Sequence, residues 1–268
     1  MIEKCISTTR GKVYYWVSED WALGRSTLFF FHGLTADHTM FEQQALYFAG
    51  RYNILAWDAP AHGKSRPYDD FSLENTSADI LAILQASRVE RFVGIGQSFG
   101  GYCVQAFACR HPARVQAFIG IGTSPYGAQY YSKADRFWLR QVGWMALCCP
   151  FALLKKAAAQ QAAATQAGRR NMLSMLAPYG KKEYAHLLQC AYTAFLRDNH
   201  GFTMGCPVLI LYGERDKTGK VRQYCRAWAK ETGYPLAVIK GAGHNANVDD
   251  PPQTNRVMER FIRRALGA

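Results

Sequence analysis

The stretch that decides the reading is Arg91-Phe92-Val93-Gly94-Ile95-Gly96, then Gln97-Ser98-Phe99-Gly100-Gly101, then residues 102–109. The first piece is a short apolar run with the length of a buried strand. The last places apolar side chains at Val104, Phe107 and Ala108, which is helical spacing. Between them lies Gly96-x-Ser98-x-Gly100, a G-x-S-x-G sequence set between strand and helix. A strand that reverses straight into a helix forces its central residue into a strained conformation, tolerated when the neighbours two away carry no side chain. Such a turn lifts Ser98 clear of the backbone, and the helix start behind it presents free N–H groups to whatever Ser98 attacks. The pentapeptide alone is common, so its weight depends on the chain around it.

Upstream, residues 12–17 alternate as an early strand, and Thr27-Leu28-Phe29-Phe30-Phe31 is apolar on both faces, as a central parallel strand should be. That run ends at His32-Gly33-Leu34-Thr35. A helix over 41–49 and a strand over 52–58 follow. The strand empties into the turn-rich residues 58–65. Ser72 is placed to cap a helix over 73–86. Downstream, strands are expected at 115–121, 207–213 and 236–240, with a helix near 220–232. Pro251-Pro252 opens a C-terminal helix reaching residue 265. Strands alternating with helices predict an α/β fold with a mostly parallel central sheet flanked by helices. Residues 126–203 break the alternation: they carry no strand signal and read as three or four helices cut by Pro150, Gly168, Pro178 and Gly180. The chain thus divides into a core of residues 1–125 and 204–268 and an inserted all-helical segment of residues 126–203. The insertion is rich in large apolar residues, among them Phe137, Trp138, Trp144, Met145, Phe151, Met172, Met175, Tyr184, Tyr192 and Phe195. Most are expected to form its own core and its seat on the sheet.

At 268 residues, 49% hydrophobic and 19% charged, the chain can bury a sizeable core and is not of disordered composition. The first six residues carry no apolar leader segment, and no apolar run approaches a membrane span. Eight cysteines without paired spacing read as reduced thiols, so the expected compartment is the cytoplasm. No cofactor and no metal site is indicated: Cys148-Cys149 is the one close pair, with no His or further Cys at ligand spacing. Charge is lopsided. Between Gly127 and His200 ten basic side chains face three acidic ones, which puts +7 of the chain's +12 in the insertion. That charge is either an ordinary solubilising surface or a field that draws an acidic or carrier-bound substrate. The basic residues are scattered on helical sequence without a nucleic-acid motif, so nucleic acid is not an expected partner.

Three groups fall just after strand-like segments: Ser98, Asp216 in Gly213-Glu214-Arg215-Asp216, and His244 in Gly241-Ala242-Gly243-His244-Asn245. Segments after the C-terminal ends of parallel strands all project at one edge of the sheet, where ligand sites form. A serine hydroxyl needs an imidazole to take its proton, and the imidazole needs a carboxylate to hold its tautomer and steady its charge. The chain order Ser, Asp, His is the one found in α/β-hydrolases.

On His32-Gly33, the 58–65 loop, the Ser98 turn, residues 213–216 and residues 241–245, the chain resembles the α/β-hydrolase fold superfamily over nearly its full length. The resemblance implies Ser98 as nucleophile, His244 as general base and then acid, and Asp216 as the orienting acid. It implies an oxyanion hole from the backbone N–H groups of Leu34 and Phe99, and a helical cap in residues 126–203 that closes over the site and selects substrates. Glu214 is the rival carboxylate, and the family pattern favours Asp216. The position after strand 115–121 holds Thr123 and Ser124 and offers no competitor. His32 and His62 read as loop-structuring residues. Serine at the turn, where epoxide hydrolases and haloalkane dehalogenases carry aspartate, and the lack of Gly-Pro-Gly or an HGGG-type run after His32 leave the small capped serine hydrolases. The expected activity is cleavage of an ester-like bond, in a carboxylic ester, lactone or thioester, of a small and partly apolar substrate. A carbon–carbon bond hydrolase on the same three residues, or a low-turnover receptor of the same fold, stays open at this point.

Overall fold

Alternate residues of the strand Thr27–Phe31 enter different apolar clusters, Phe29 and Phe31 in one, Leu28 and Phe30 in the other. A strand covered on both faces has no polar side to present, which is why the run is apolar throughout. Asn53–Trp57 divides the same way, with Leu55 and Trp57 beside Phe29 and with Ile54 and Ala56 beside Phe30. In the computed structural model, which describes residues 1–267, the strands are β1 (Ile2–Thr8), β2 (Gly11–Val17), β3 (Thr27–Phe31), β4 (Asn53–Trp57), β5 (Phe92–Gln97), β6 (Val115–Ile121), β7 (Val208–Gly213) and β8 (Leu236–Ile239). They form one sheet in the order β1-β2-β4-β3-β5-β6-β7-β8. β2 runs antiparallel to both neighbours, and every pair from β4 to β8 is parallel.

Helices α1 (Glu42–Phe48) and α10 (Pro251–Leu266) cover the face that holds Phe30. Helices α2 (Leu73–Ala86), α3 (Phe99–Arg110) and α8 (Val221–Thr232) cover the face that holds Phe29. Ser72 caps α2 as expected, its hydroxyl accepting from Asn75 N at 3.1 Å. Between β6 and β7 come α4 (Lys133–Cys148), α5 (Phe151–Ala162), α6 (Gln166–Leu176) and α7 (Lys181–Asp198). The short helix α9 (Ala246–Asp249) follows β8. The first three inserted helices each have a local reason to start. Ser132 and Asp135 form a reciprocal capping box at α4, Pro150 precedes α5, and Thr165 Oγ1 accepts from Gly168 N at 3.0 Å at α6.

Two features go beyond the sequence reading. β1 gives no strand signal because most of its side chains are exposed, so no apolar alternation marks it. It is held by its antiparallel ladder with β2, from Ile2 opposite Val17 to Thr8 opposite Gly11. The second concerns the insertion. Met172, Met175, Tyr184 and Phe195 are buried and Phe151 and Tyr192 pack against the core, as expected of most of the named residues, but Phe137, Trp138, Trp144 and Met145 are exposed on α4. α4 packs on α7 through the side carrying Gly143 and Ala146, leaving its aromatic face uncovered.

Candidate active site

Ser98, Asp216 and His244 follow the C-terminal ends of β5, β7 and β8, so one edge of the parallel sheet carries all three. Ser98 sits at φ 49° and ψ −115°, a conformation an L-residue rarely adopts, and one that close packing on both sides imposes. A Cβ on Gly100 would lie 2.0 Å from the Phe31 carbonyl oxygen, and one on Gly96 would lie 2.5 Å from Gly101 N. Bulk at either position would push the turn off the ends of β3 and α3. The bent backbone is pinned by hydrogen bonds: Ser98 N donates to Ile121 O at 2.8 Å, and Ser98 O accepts from Thr123 Oγ1 at 2.8 Å.

His244 Nδ1 lies 2.8 Å from Asp216 Oδ2. Thr218 N donates to the other Asp216 oxygen at 2.8 Å. Burial raises the Asp216 carboxyl, but the neighbouring imidazole and these hydrogen bonds outweigh it and hold the group below its ordinary range. Glu214 is exposed and accepts from Gly241 N at 2.9 Å, so the rival carboxylate is engaged elsewhere. The histidine ring rests against Gly122, at φ +54°, where a Cβ would lie 3.0 Å from Nδ1.

The loop after β3 is set by His32. Its Nδ1 lies 2.8 Å from Gly33 O, and its Nε2 accepts from Ala59 N at 2.9 Å. That pairing ties the Leu34 loop to the 58–65 loop, so His32 has the structural part expected of it. Leu34, Phe99 and Ser98 all line one cavity of about 730 Å³. α4 contributes Trp138, Leu139 and Val142 to its wall, and α5 contributes Leu154 and Ala158. Its charged lining residues are Asp135 and Lys220, bonded to each other at 2.7 Å. Burial raises the Asp135 carboxyl, yet hydrogen bonds from Lys220 and Ser132 hold it well below the usual range, so the carboxylate is charged and faces its lysine partner across the ion pair. Lys155, Lys156, Arg169 and Arg170 lie outside this lining. Lys155 Nζ donates to Ala177 O and Arg169 Nε to Ala163 O, so both brace the insertion's backbone.

Two residues that the sequence reading passed over hold the site together. Gln97, beside Ser98, is buried, and its Nε2 donates to His244 O at 3.3 Å and Asn245 Oδ1 at 3.2 Å. Asp249 accepts four hydrogen bonds. Oδ2 takes Gly243 N at 2.7 Å and Ala164 N at 2.8 Å; Oδ1 takes Thr165 N at 2.9 Å and Thr165 Oγ1 at 2.6 Å. One carboxylate therefore joins the histidine loop to the α5–α6 connection. Its sequence signal is slight, an acid five residues past His244 at the end of a short helix.

Comparison with known proteins agrees with this architecture. A family model described as alpha/beta hydrolase fold matches residues 26–251. Among curated proteins, 3-oxoadipate enol-lactonase 2 of Acinetobacter baylyi is 29% identical over 91 residues, 34% of each chain. The match thus spans about a third of that relative's length. Among solved structures, a thermophilic esterase from Thermogutta terrifontis superposes with a TM-score of 0.78 at 19% identity over 99% of both chains. An N-acyl homoserine lactonase superposes with a TM-score of 0.76 at 18% identity, over 98% of this chain and 97% of that one. Identities this low speak for the fold alone. The continuous family match, laid over a sheet whose parallel strands end in Ser98, Asp216 and His244, makes this chain a member of the alpha/beta hydrolase fold family.

Proposed function

We propose that the protein is a serine hydrolase that cleaves a carboxylic ester or lactone with an apolar acyl part. The observation that carries this reading is Ser98, held at φ 49° in the wall of an apolar cavity, on the sheet edge that also holds the 2.8 Å His244–Asp216 pair. With His244 Nδ1 donating to Asp216, the other ring nitrogen is the base. It takes the Ser98 proton as Oγ attacks the substrate carbonyl, and the N–H groups of Leu34 and Phe99 receive the developing oxyanion. Collapse of the tetrahedral adduct expels the alcohol, which leaves with the proton from His244, and an acyl group remains on Ser98. Water then attacks the acyl-enzyme with His244 as base, releasing the acid and restoring the serine. In a lactone the alcohol and the acid are ends of one molecule, so the product is a single hydroxy acid.

Residues 126–203 act as the cap in this reading, because α4 and α5 supply much of the apolar wall. The internally paired Asp135 and Lys220 favour a neutral substrate over an acidic or carrier-bound one. Fluorophosphonate labelling followed by peptide mapping tests the nucleophile: the adduct is expected on Ser98, and labelling elsewhere or none would remove the assignment. A panel of neutral esters and lactones of increasing acyl length should show kcat/KM rising with length, as expected of an apolar pocket.

A further inference from the structure

The aromatic face of α4 is the feature the active site does not use. Trp144 is 63% exposed, Trp138 58% and Phe137 55%, and Leu153 at the start of α5 is 63% exposed. Isolated exposed apolar side chains are ordinary, but this group gathers on one helix and its neighbour. At 100° per residue, Trp144, Phe137, Met145 and Trp138 share one side of α4, with Lys133 and Arg140 along its edge. Both basic residues are exposed. Large aromatics flanked by Lys and Arg on a helix lying flat against a protein is the pattern of an interfacial helix, rings at the headgroup level and cations toward anionic lipid. Trp138 and Met145 also line the Ser98 cavity, so the exposed aromatic face, with Gln141 set among its apolar side chains, reaches the cavity wall.

From this we infer that α4 docks the protein on an anionic lipid bilayer, with the cavity opening toward the membrane so that apolar substrate enters from the lipid. The occupant is argued from charge. The insertion carries +7, which an anionic surface neutralises and which would set two copies against each other if α4 met its own counterpart. No helix among the described residues is long and apolar enough to cross a membrane, and the inference needs none, because the contact is peripheral. The charge asymmetry thereby gains a part that the cavity lining does not give it.

The test is flotation of the full-length protein with vesicles of phosphatidylcholine alone and of phosphatidylcholine with phosphatidylglycerol as about one third of the lipid. The protein is expected to float with the mixed vesicles at low salt and to be released as salt rises. Lys133→Glu/Arg140→Glu should weaken partition about 25-fold or more, from about fivefold for each basic side chain lost. Phe137→Ser/Trp144→Ser should weaken it comparably. Neither pair lines the cavity, so turnover of a water-soluble short ester should be unchanged in both. Ser98→Ala should float like wild type, which separates this inference from the catalytic one. Failure to float with mixed vesicles at low salt, or flotation by both double variants equal to wild type, would overturn it. So would a dimer in analytical ultracentrifugation that Phe137→Ser/Trp144→Ser dissociates, since a second copy would then cover the face.

Discussion

At Ser98 the backbone holds a conformation that costs an L-residue on the order of 1–3 kcal/mol, sustained by the packing of Gly100 against Phe31 O and the hydrogen bonds on either side. Preorganisation of this kind means that Ser98→Ala should leave the fold intact while lowering kcat on the order of 10⁵-fold or more. Asp216→Asn should cost about 10⁴-fold, because an amide cannot steady the imidazolium that forms when His244 takes the proton. Glu214→Gln should be nearly silent, its carboxylate being engaged with Gly241 N at the surface. Steady-state kinetics on one ester with all three variants decides the matter; a damaging Glu214→Gln beside a silent Asp216→Asn would transfer the role. Gln97 belongs to this scale as well, since it ties the position before Ser98 to the loop bearing His244.

Among elements, the connection that matters most is Asp249, between the histidine loop and the start of α6. Thr165 is both the cap of α6 and a partner of Asp249, and Asn245 N donates to Ala162 O at 2.7 Å, so the two contacts act side by side. Asp249→Asn keeps the shape but points an amide at groups that donate, leaving at least one N–H without an acceptor. About 2 kcal/mol of stability should be lost, the range for a hydrogen bond to a charged acceptor. On a short ester kcat should fall about tenfold while KM moves little, because the base is displaced and the apolar wall is not. Urea unfolding and steady-state kinetics of the variant check both halves. A variant that matches wild type in each would show that the insertion and the histidine loop are positioned independently.

For the molecule as a whole, the buried histidines set the response to acid. Burial, with the neighbouring His32 second, pulls the His62 imidazole down to about 3, and burial likewise lowers His32. His62 is therefore neutral in the fold near neutral pH and titrates near 6.5 when unfolded, and His32 shifts in the same direction. Because the folded value lies below the unfolded one, the unfolded chain binds more protons between them. Stability is fully present above about 6.5 and is lost as pH falls toward about 3. His62 alone should cost about 1.4 kcal/mol per pH unit, or about 2 kcal/mol between pH 7 and pH 5. Urea unfolding across that range should show the decline, and His62→Gln should flatten it. An unchanged slope in His62→Gln would assign the acid response to other groups.

What the sequence determined by itself was whatever rests on local pattern. The two-sided apolar run at β3, the Ser72 cap, the glycines around Ser98 and the order of Ser98, Asp216 and His244 are short-range features with direct physical causes. They were enough for the sheet and for the residues at its edge. Only the tertiary structure decided which partners meet across long separations. β1 has no apolar face to announce it and exists through its ladder with β2. Gln97 and Asp249 look like unremarkable polar residues until the chain brings His244 and Thr165 to them from 147 and 84 positions away. The aromatic residues of α4 reverse the expectation most plainly. Helical periodicity cannot say which side of a helix another element will cover, and here α7 covers the small side and leaves the large one to solvent.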